Sequence, residues 1–174
     1  LVAEPEVTEG QLIVERVTVP IRAAAEEKNV AFSVHADEEL LGYVRVDRLK
    51  LQEVLLALLS NAVKFTPEGG HVGLEVRYVP EAPDGRNCQL LVRDDGIGIG
   101  EQFLPHIFEP FAQERSAEAY DAMGTGLGMA IVKRLLDILG GTIQVASAKG
   151  KGTVFTVALP VERLANVQAA ALAV

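Results

Sequence analysis

The sequence predicts a two-layer α/β fold, in which a mixed, mostly antiparallel sheet of about five strands carries three helices on one face. Two observations lead to this prediction. Several short segments alternate apolar and polar residues, as is typical of strands with one face on a core. Three longer segments repeat apolar residues at intervals of three and four, which indicates amphipathic helices that can cover that face.

The composition indicates one ordinary globular domain and excludes several other classes. The chain has 174 residues, of which 49% are hydrophobic and 23% charged, and its net charge is −8. This acidic balance argues against a nucleic-acid partner, and no apolar run reaches the roughly 20 residues that span a bilayer, so we expect no membrane contact. The single cysteine, Cys88, is predicted to be a small core residue. The first residue is Leu1 and no signal peptide is visible, so we expect a cytoplasmic fragment of a longer protein.

The first half of the chain contains two predicted helices and three predicted strands. One helix runs from about Gly10 to Asn29 and another, with Asp47 as its N-cap, from Asp47 to Phe65. Alternation predicts strands over 30–35, 72–79 and 88–94.

The second half continues with a short helix over 102–107 and a polar stretch without periodicity over 109–123. A third long helix is predicted from about Gly126 to Leu139, where Gly140-Gly141 ends it. Two final strands surround Ile143 and Phe155. The alanine-rich tail over 161–174 is either a frayed helix or a linker, so the domain is expected to cover 1–160.

The second helix carries polar residues beside its apolar stripe, which consists of Leu51, Leu55, Leu58, Ala62 and Phe65. Ala57, Asn61 and Lys64 lie along the edge of that stripe. One interpretation is a surface-paired asparagine and a solvated lysine. In the other, the Asn61 carbonyl ligates Mg²⁺ and Lys64 reaches a phosphate.

Two glycine-rich segments follow. Asp94 continues the apolar face of the strand 88–94 and precedes Gly96 and Gly98, so it could accept a hydrogen bond from the amine of an adenine. Alternatively it only turns the chain. The second segment, 124–128, opens the third helix, where backbone amides favour phosphate oxygens. Neither segment has Walker A or dinucleotide-binding spacing.

These segments, in this order, resemble the ATP-binding catalytic domain of sensor histidine kinases, within the GHKL superfamily and its Bergerat fold. Residues 51–66 are similar to the N box and 92–99 to the first glycine box. Residues 108–111 match the F box, 124–129 the second glycine box and 150–155 the last glycine segment.

The resemblance implies a site for ATP and Mg²⁺. Asn61 would bind the metal, Lys64 a phosphate, and Asp94 and Thr153 the adenine, while residues of about 109–127 would form a mobile ATP lid. Asn61 and Lys64 are the implied catalytic residues. The implied nucleotide-binding set is Asn61, Lys64, Asp94, Gly96, Gly98, Ile99, Gly124, Thr125, Gly126, Leu127, Gly128 and Thr153.

The implied partners are the dimerisation helices of the same protein, which carry the acceptor histidine, and the receiver domain of a response regulator. His35, His71 and His106 do not fit the acceptor motif, so we expect the acceptor upstream and this fragment to be monomeric. Exposed phenylalanines Phe108 and Phe111 would help to dock those helices.

The sequence also departs from the family pattern. Ala57 stands where sensor kinases have a second asparagine and the ATP-hydrolysing relatives a glutamate, so it cannot act as a general base. Tyr120 and Asp121 stand where an arginine is common in the lid, with Arg115 a candidate substitute, and Met123 replaces a glycine. The alternatives are therefore a nucleotide-binding regulatory module without transfer activity, a GHKL ATPase, or a serine kinase of the superfamily.

Overall fold

The computed structural model describes residues 1–112 and 128–165. Its elements are β1 (Glu6–Glu9), α1 (Gly10–Lys28), β2 (Ala31–Ala36), β3 (Tyr43–Val46), α2 (Arg48–Lys64), β4 (His71–Tyr78), β5 (Cys88–Asp94), α3 (Gly128–Leu139), β6 (Thr142–Ala148), β7 (Gly152–Leu159) and β8 (Glu162–Arg163). Short 3₁₀ turns cover Glu38–Leu40 and Leu104–His106. The second of these replaces the helix predicted over 102–107, because so few residues cannot offset the cost of nucleating an α-helix.

The main sheet has five strands in the order β2-β4-β5-β7-β6. The β2–β4 pair is parallel and the other three pairs are antiparallel, which confirms the predicted mixed sheet. Parallel pairing needs a crossover connection, and the chain between β2 and β4 supplies it by passing through α2.

The helices lie on one face of this sheet, with α2 between α1 and α3. The middle of α2 is fully buried at Val54, Leu58 and Leu59, and it packs on the inner residues of β4 and β5. Of the predicted apolar stripe, Leu51, Leu55, Leu58 and Ala62 are buried, whereas Phe65 is half-buried at the C-cap. Among the described helices, none is long and apolar enough to cross a bilayer.

A second sheet, in the order β1-β3-β8, was not predicted. Its outer strands have four and two residues, too few for alternation to be recognised. Strand β8 of this sheet extends the fold beyond residue 160, where the sequence suggested that the domain ends. Val161 is buried, the Asn87 amide bonds to both its backbone groups, and Leu164 N donates to Tyr43 O at 2.9 Å.

Candidate functional site

Three polar side chains form a row across one end of the main sheet, on its helix-covered side. Asp94 on β5 lies directly opposite Thr153 on β7, and Thr153 lies directly opposite Ser147 on β6. Each continues the inward face of its strand, two residues beyond a core residue such as Val92 or Phe155. The apolar face of the sheet therefore ends in a polar edge.

Asp94 is the half-buried acceptor of this row. Its Oδ1 accepts a hydrogen bond from the Gly96 amide at 2.9 Å. Burial raises the pKa of the Asp94 carboxyl above its ordinary value; the amides of Gly96 and Thr153 lower it, and the charge of Asp95 adds to the rise. Asp94 thus lies in a partly desolvated place where a hydrogen-bonding ligand would interact strongly.

The neighbouring carboxylate, Asp95, bonds to the protein backbone. It is exposed, and its Oδ1 accepts from the backbone amide of His71 at 2.7 Å, while its own amide donates to His71 O at 3.2 Å. Asp95 therefore closes the junction between β4 and β5. Asp94 itself bonds to the amide two residues further on, so the alternative role considered for it, a turn-forming aspartate, remains open.

The first glycine loop, residues 96–99, lies between the end of α2 and the β6–β7 turn. Ile97 N donates to Phe65 O at 3.1 Å, and Gly150 N donates to Ile97 O at 2.8 Å. Glycine is required at Gly98 for two reasons: its φ is +72°, and a Cβ there would overlap the carbonyl of Ala148. The loop is thus held by backbone contacts on both sides.

The last turn of α2 brings Asn61 and Lys64 to the same region, because the residue after Lys64 holds the glycine loop. Asn61 is half-buried and Lys64 is exposed. Within the described parts of the chain, the Asn61 amide group has no hydrogen-bond partner, so its carbonyl oxygen is available to a ligand. The preceding turn presents only the half-buried methyl group of Ala57.

Both ends of α2 are anchored by side chains from elsewhere. Asp47 is buried and accepts hydrogen bonds from the amides of Lys50 and Glu4, and it forms an ion pair with the Lys50 ammonium at 3.0 Å. At the other end, Lys28 Nζ donates to the carbonyls of Val63 at 3.0 Å and Lys64 at 2.7 Å. A cation at the carbonyls that end the helix stabilises the turn that follows Asn61.

Mg²⁺ usually binds through one or two protein oxygens, substrate phosphates and water. Among the described residues there is no cluster of three or more histidine, cysteine or acidic side chains that would hold a metal without a substrate. The single free carbonyl of Asn61 fits a metal that is shared with phosphates. It does not fit a metal held by protein ligands alone.

Several predicted residues lie outside the described part of the chain. These are Gly124, Thr125, Gly126 and Leu127, together with the lid beyond residue 112 and the substitutions at Arg115, Tyr120, Asp121 and Met123. Gly128 is described as the exposed first residue of α3.

The two F-box phenylalanines differ in exposure, contrary to the expectation that both are exposed. Phe108 is half-buried and packs on the hydrophobic core, so it anchors the F-box segment to the domain. Phe111 is 73% exposed and has a φ of +62°. Phe111 is therefore the one that a partner can reach.

Sequence reasoning missed Ser147, whose Oγ accepts from the Ile99 amide at 2.8 Å. A usable signal was present, because Ile143, Val145 and Ser147 follow the same alternation that singled out Asp94. It also missed Thr66, which is fully buried and donates to Ala62 O at 2.6 Å. No local pattern distinguishes that threonine from a turn residue.

Comparison with known sequences identifies the family. Residues 46–163 match the family described as histidine kinase-, DNA gyrase B-, and HSP90-like ATPase. The chain belongs to this family. Within it, the chain is of the sensor-histidine-kinase type, as the resemblance implied, because its relatives are sensor kinases.

Two such relatives of the histidine kinase-like ATPase family illustrate the similarity. The autoinducer 2 sensor kinase/phosphatase LuxQ of Vibrio parahaemolyticus is 41% identical over 146 residues, which are 81% of this chain and 16% of that protein. The sensor histidine kinase WalK of Bacillus subtilis is 38% identical over 118 residues, or 68% of this chain and 19% of WalK. The chain thus spans less than a fifth of either relative.

Solved structures of the same family agree on the fold. Full-length ShkA in complex with AMPPNP superposes with a TM-score of 0.79 at 29% identity, covering 95% of this chain and 33% of ShkA. The nucleotide-free catalytic domain of the histidine kinase ThkA superposes with a TM-score of 0.72 at 25% identity, covering 90% of this chain and 97% of that domain. These matches confirm the predicted fold class.

Proposed function

We propose that this chain binds ATP with Mg²⁺ and transfers the γ-phosphoryl group to a histidine on a separate helical hairpin of its parent protein. The arrangement that carries this proposal is half-buried Asp94 opposite buried Thr153, beside a glycine loop held by backbone bonds. Asn61 and Lys64 lie on the adjoining turn of α2. The nucleotide in ShkA, a structural relative, supports the same assignment.

The described residues divide the work between base and phosphates. Asp94 would accept a hydrogen bond from the adenine amine, and Gly96 and Gly98 would let the base approach the backbone. Lys64, exposed at the end of α2, would contact a phosphate oxygen. Mg²⁺, held through the Asn61 carbonyl and the phosphates, would offset the negative charge that is redistributed during transfer.

Phosphoryl transfer depends mainly on positioning and charge stabilisation, so the chain needs no strong base of its own. Ala57 agrees with this requirement, since a methyl group cannot activate water. We infer that the site favours transfer to a histidine over hydrolysis. The remaining proposed contacts to phosphate come from residues 124–128, of which only Gly128 lies in the described part of the chain.

The proposal extends to partners and location. The exposed Phe111 would contact the hairpin that carries the acceptor histidine, and a receiver domain would accept the phosphoryl group next. The parent protein would present this domain to the cytoplasm, which supplies ATP. The chain by itself is expected to be monomeric, because the dimerisation helices are a separate element.

A second candidate is a nucleotide-binding regulatory module that does not transfer phosphate. Ala57 favours it, because one fewer oxygen donor weakens the hold on the metal. Both candidates predict ATP binding, so they differ only in what happens to the γ-phosphate.

The deciding experiment mixes the chain with the hairpin of its parent protein and ATP labelled in the γ-phosphate. Acid-labile label on the hairpin supports histidine kinase activity, whereas binding without label supports the regulatory module. Acid-stable label would indicate a serine kinase, and steady release of free phosphate by the chain alone would indicate an ATPase. A hairpin with its acceptor histidine replaced by glutamine is the control.

A further inference from the structure

The hydroxyl group of Ser147 lies where three parts of the candidate nucleotide site meet. Its Oγ accepts a hydrogen bond from Ile99 N at 2.8 Å, and it lies 2.8 Å from both Gly152 O and Thr153 Oγ1. Ile99 belongs to the first glycine loop, Gly152 begins β7, and Thr153 is the residue opposite Asp94. One side chain therefore links the loop, the last glycine segment and the polar row.

A single arrangement of hydrogens satisfies all three contacts of Ser147. A carbonyl oxygen can only accept, so the one hydroxyl hydrogen of Ser147 is donated to Gly152 O. The Ile99 amide can only donate, and it occupies one lone pair of Ser147 Oγ. The other lone pair then accepts the hydroxyl hydrogen of Thr153. Thr153 consequently has lone pairs, but no hydrogen, to offer to a ligand.

We propose that Ser147 is a positioning residue that sets base specificity by holding the Thr153 hydroxyl as a hydrogen-bond acceptor beside the Asp94 carboxylate. Two adjacent acceptors match a base edge that carries an amino group, which donates either directly or through a water. They disfavour a 6-oxo purine, whose oxygen would meet lone pairs at the same place. The inference rests on the proposed function, because it concerns the base of the same nucleotide.

The experiment measures the dissociation constants of ATP and of inosine triphosphate, which differ at the 6-position, by calorimetry with magnesium. It uses the full chain and the variants Ser147→Ala, Ser147→Thr, Thr153→Val and the Ser147→Ala/Thr153→Val double variant. Ser147→Ala frees the Thr153 hydrogen, so the preference for ATP should fall about tenfold. Ser147→Thr keeps the hydroxyl and should therefore retain the preference of the unaltered chain for ATP.

The double variant tests whether Ser147 acts through Thr153. Once Thr153→Val has removed the second hydroxyl and lowered the preference, Ser147→Ala should change the preference no further. Thr156→Val is the matched control, because Thr156 lies on the same strand with the opposite orientation. It should leave the preference unchanged.

Three results would overturn the proposal while leaving the proposed function intact. One is an unchanged preference for ATP in Ser147→Ala. Another is that Ser147→Ala changes this preference equally in the presence and in the absence of the Thr153 hydroxyl. The third is an unchanged preference in Thr153→Val, which decides the matter even if Ser147→Ala does not fold. Failure of the proposed function itself would be distinguishable, since the unaltered chain would then bind no ATP.

Discussion

At the scale of single residues, the site depends on two adjacent aspartates that do different work. Asp94 points along the buried face of β5 and Asp95 along the exposed face, because successive residues of a strand alternate in direction. Burial therefore acts on Asp94, whereas Asp95 bonds to the backbone of β4. We therefore expect Asp94 to contact the ligand, whereas Asp95 joins β5 to β4.

Replacing Asp94 by asparagine should lower ATP affinity by about 100-fold without destabilising the fold. The raised pKa of Asp94 means that its ionised form costs stability, and this cost grows as pH rises from the ordinary carboxyl value through the folded pKa. Asp94→Asn should therefore melt no lower than the unaltered chain at pH 7. Calorimetry and thermal melting measure the two effects.

Asp95→Asn is the matched control, since its amide oxygen can still accept from His71. It should retain ATP affinity. If Asp94→Asn bound ATP as tightly as Asp95→Asn did, the assignment of Asp94 to the base would be wrong.

Asn61 gives a prediction about metal removal. In the unaltered chain, chelating Mg²⁺ should weaken ATP binding at least tenfold, because under our proposal the metal would link the Asn61 carbonyl to the phosphates. In Asn61→Ala that link is absent, so chelation should have a much smaller effect. The measurement is ATP affinity with magnesium and with EDTA. An equal loss in both proteins would show that Asn61 is not a metal ligand.

At the scale of elements, α2 is the structural centre of the site. Its buried middle belongs to the core, and its two ends are held by Asp47, which bonds to the Lys50 amide, and by Lys28, which bonds to the last carbonyls. A shift of this helix would move both Asn61 and the glycine loop that bonds to Phe65, so the position of α2 sets the geometry of the candidate site.

The Asp47 cap predicts a pH-dependent stability. Burial tends to raise the pKa of Asp47, but bonds from Glu4 and Lys50 outweigh it, so the pKa lies below the ordinary 3.8. A depressed pKa stabilises the fold above the ordinary value, and that contribution is lost as pH falls through the folded pKa. Asp47→Asn should thus lose roughly 1–2 kcal/mol at pH 6.

The test of this cap compares denaturant unfolding of the two proteins from pH 6 to pH 2. The difference in unfolding free energy should shrink towards zero below the ordinary carboxyl pKa. A difference that stayed constant across this range would mean that the charge of Asp47 does not contribute.

Lys28→Met should cost about 1 kcal/mol and weaken ATP binding several-fold, because the carbonyls that end α2 lose their cation. Methionine retains most of the apolar stem, so lost packing contributes little. Lys133→Met is the control, since the partner of Lys133 among the described residues is Asp137, an exposed ion pair at 2.8 Å within α3. Denaturant unfolding and calorimetry should separate the two variants; equal effects would contradict the capping role.

At the scale of the whole molecule, the chain brings its first and last described strands onto the same partner, since β1 and β8 flank β3. Strand β3 leads directly into Asp47 and α2. The described ends of the domain therefore meet beside the start of the helix that carries Asn61.

The whole chain, incubated alone with labelled ATP, should incorporate no phosphate. His35, His71 and His106 are all exposed, but His71 contacts Ser33 and His106 contacts Glu109, and none lies in the polar row. Electrophoresis under alkaline conditions, which preserve phosphohistidine, would detect any label. Label on one of these histidines would place the acceptor within this chain.

The sequence by itself determined the elements whose signals are local. Helix α2, strands β4, β5 and β7, and the position of Asp94 at the end of an apolar face all follow from residues two to four positions apart. Those separations are set by helix and strand geometry, so periodicity reveals them. The glycine segments were recognisable because their glycines lie within a few positions of one another in the sequence.

Only the tertiary structure decided how those elements combine. Strand register placed Ser147, Thr153 and Asp94 in one row, pairing joined β1 and β8 to β3, and packing brought Lys28 to the end of α2. These contacts join residues that are distant in sequence and depend on how whole elements pack. No local periodicity encodes them, because their energy is gained only when the chain has folded.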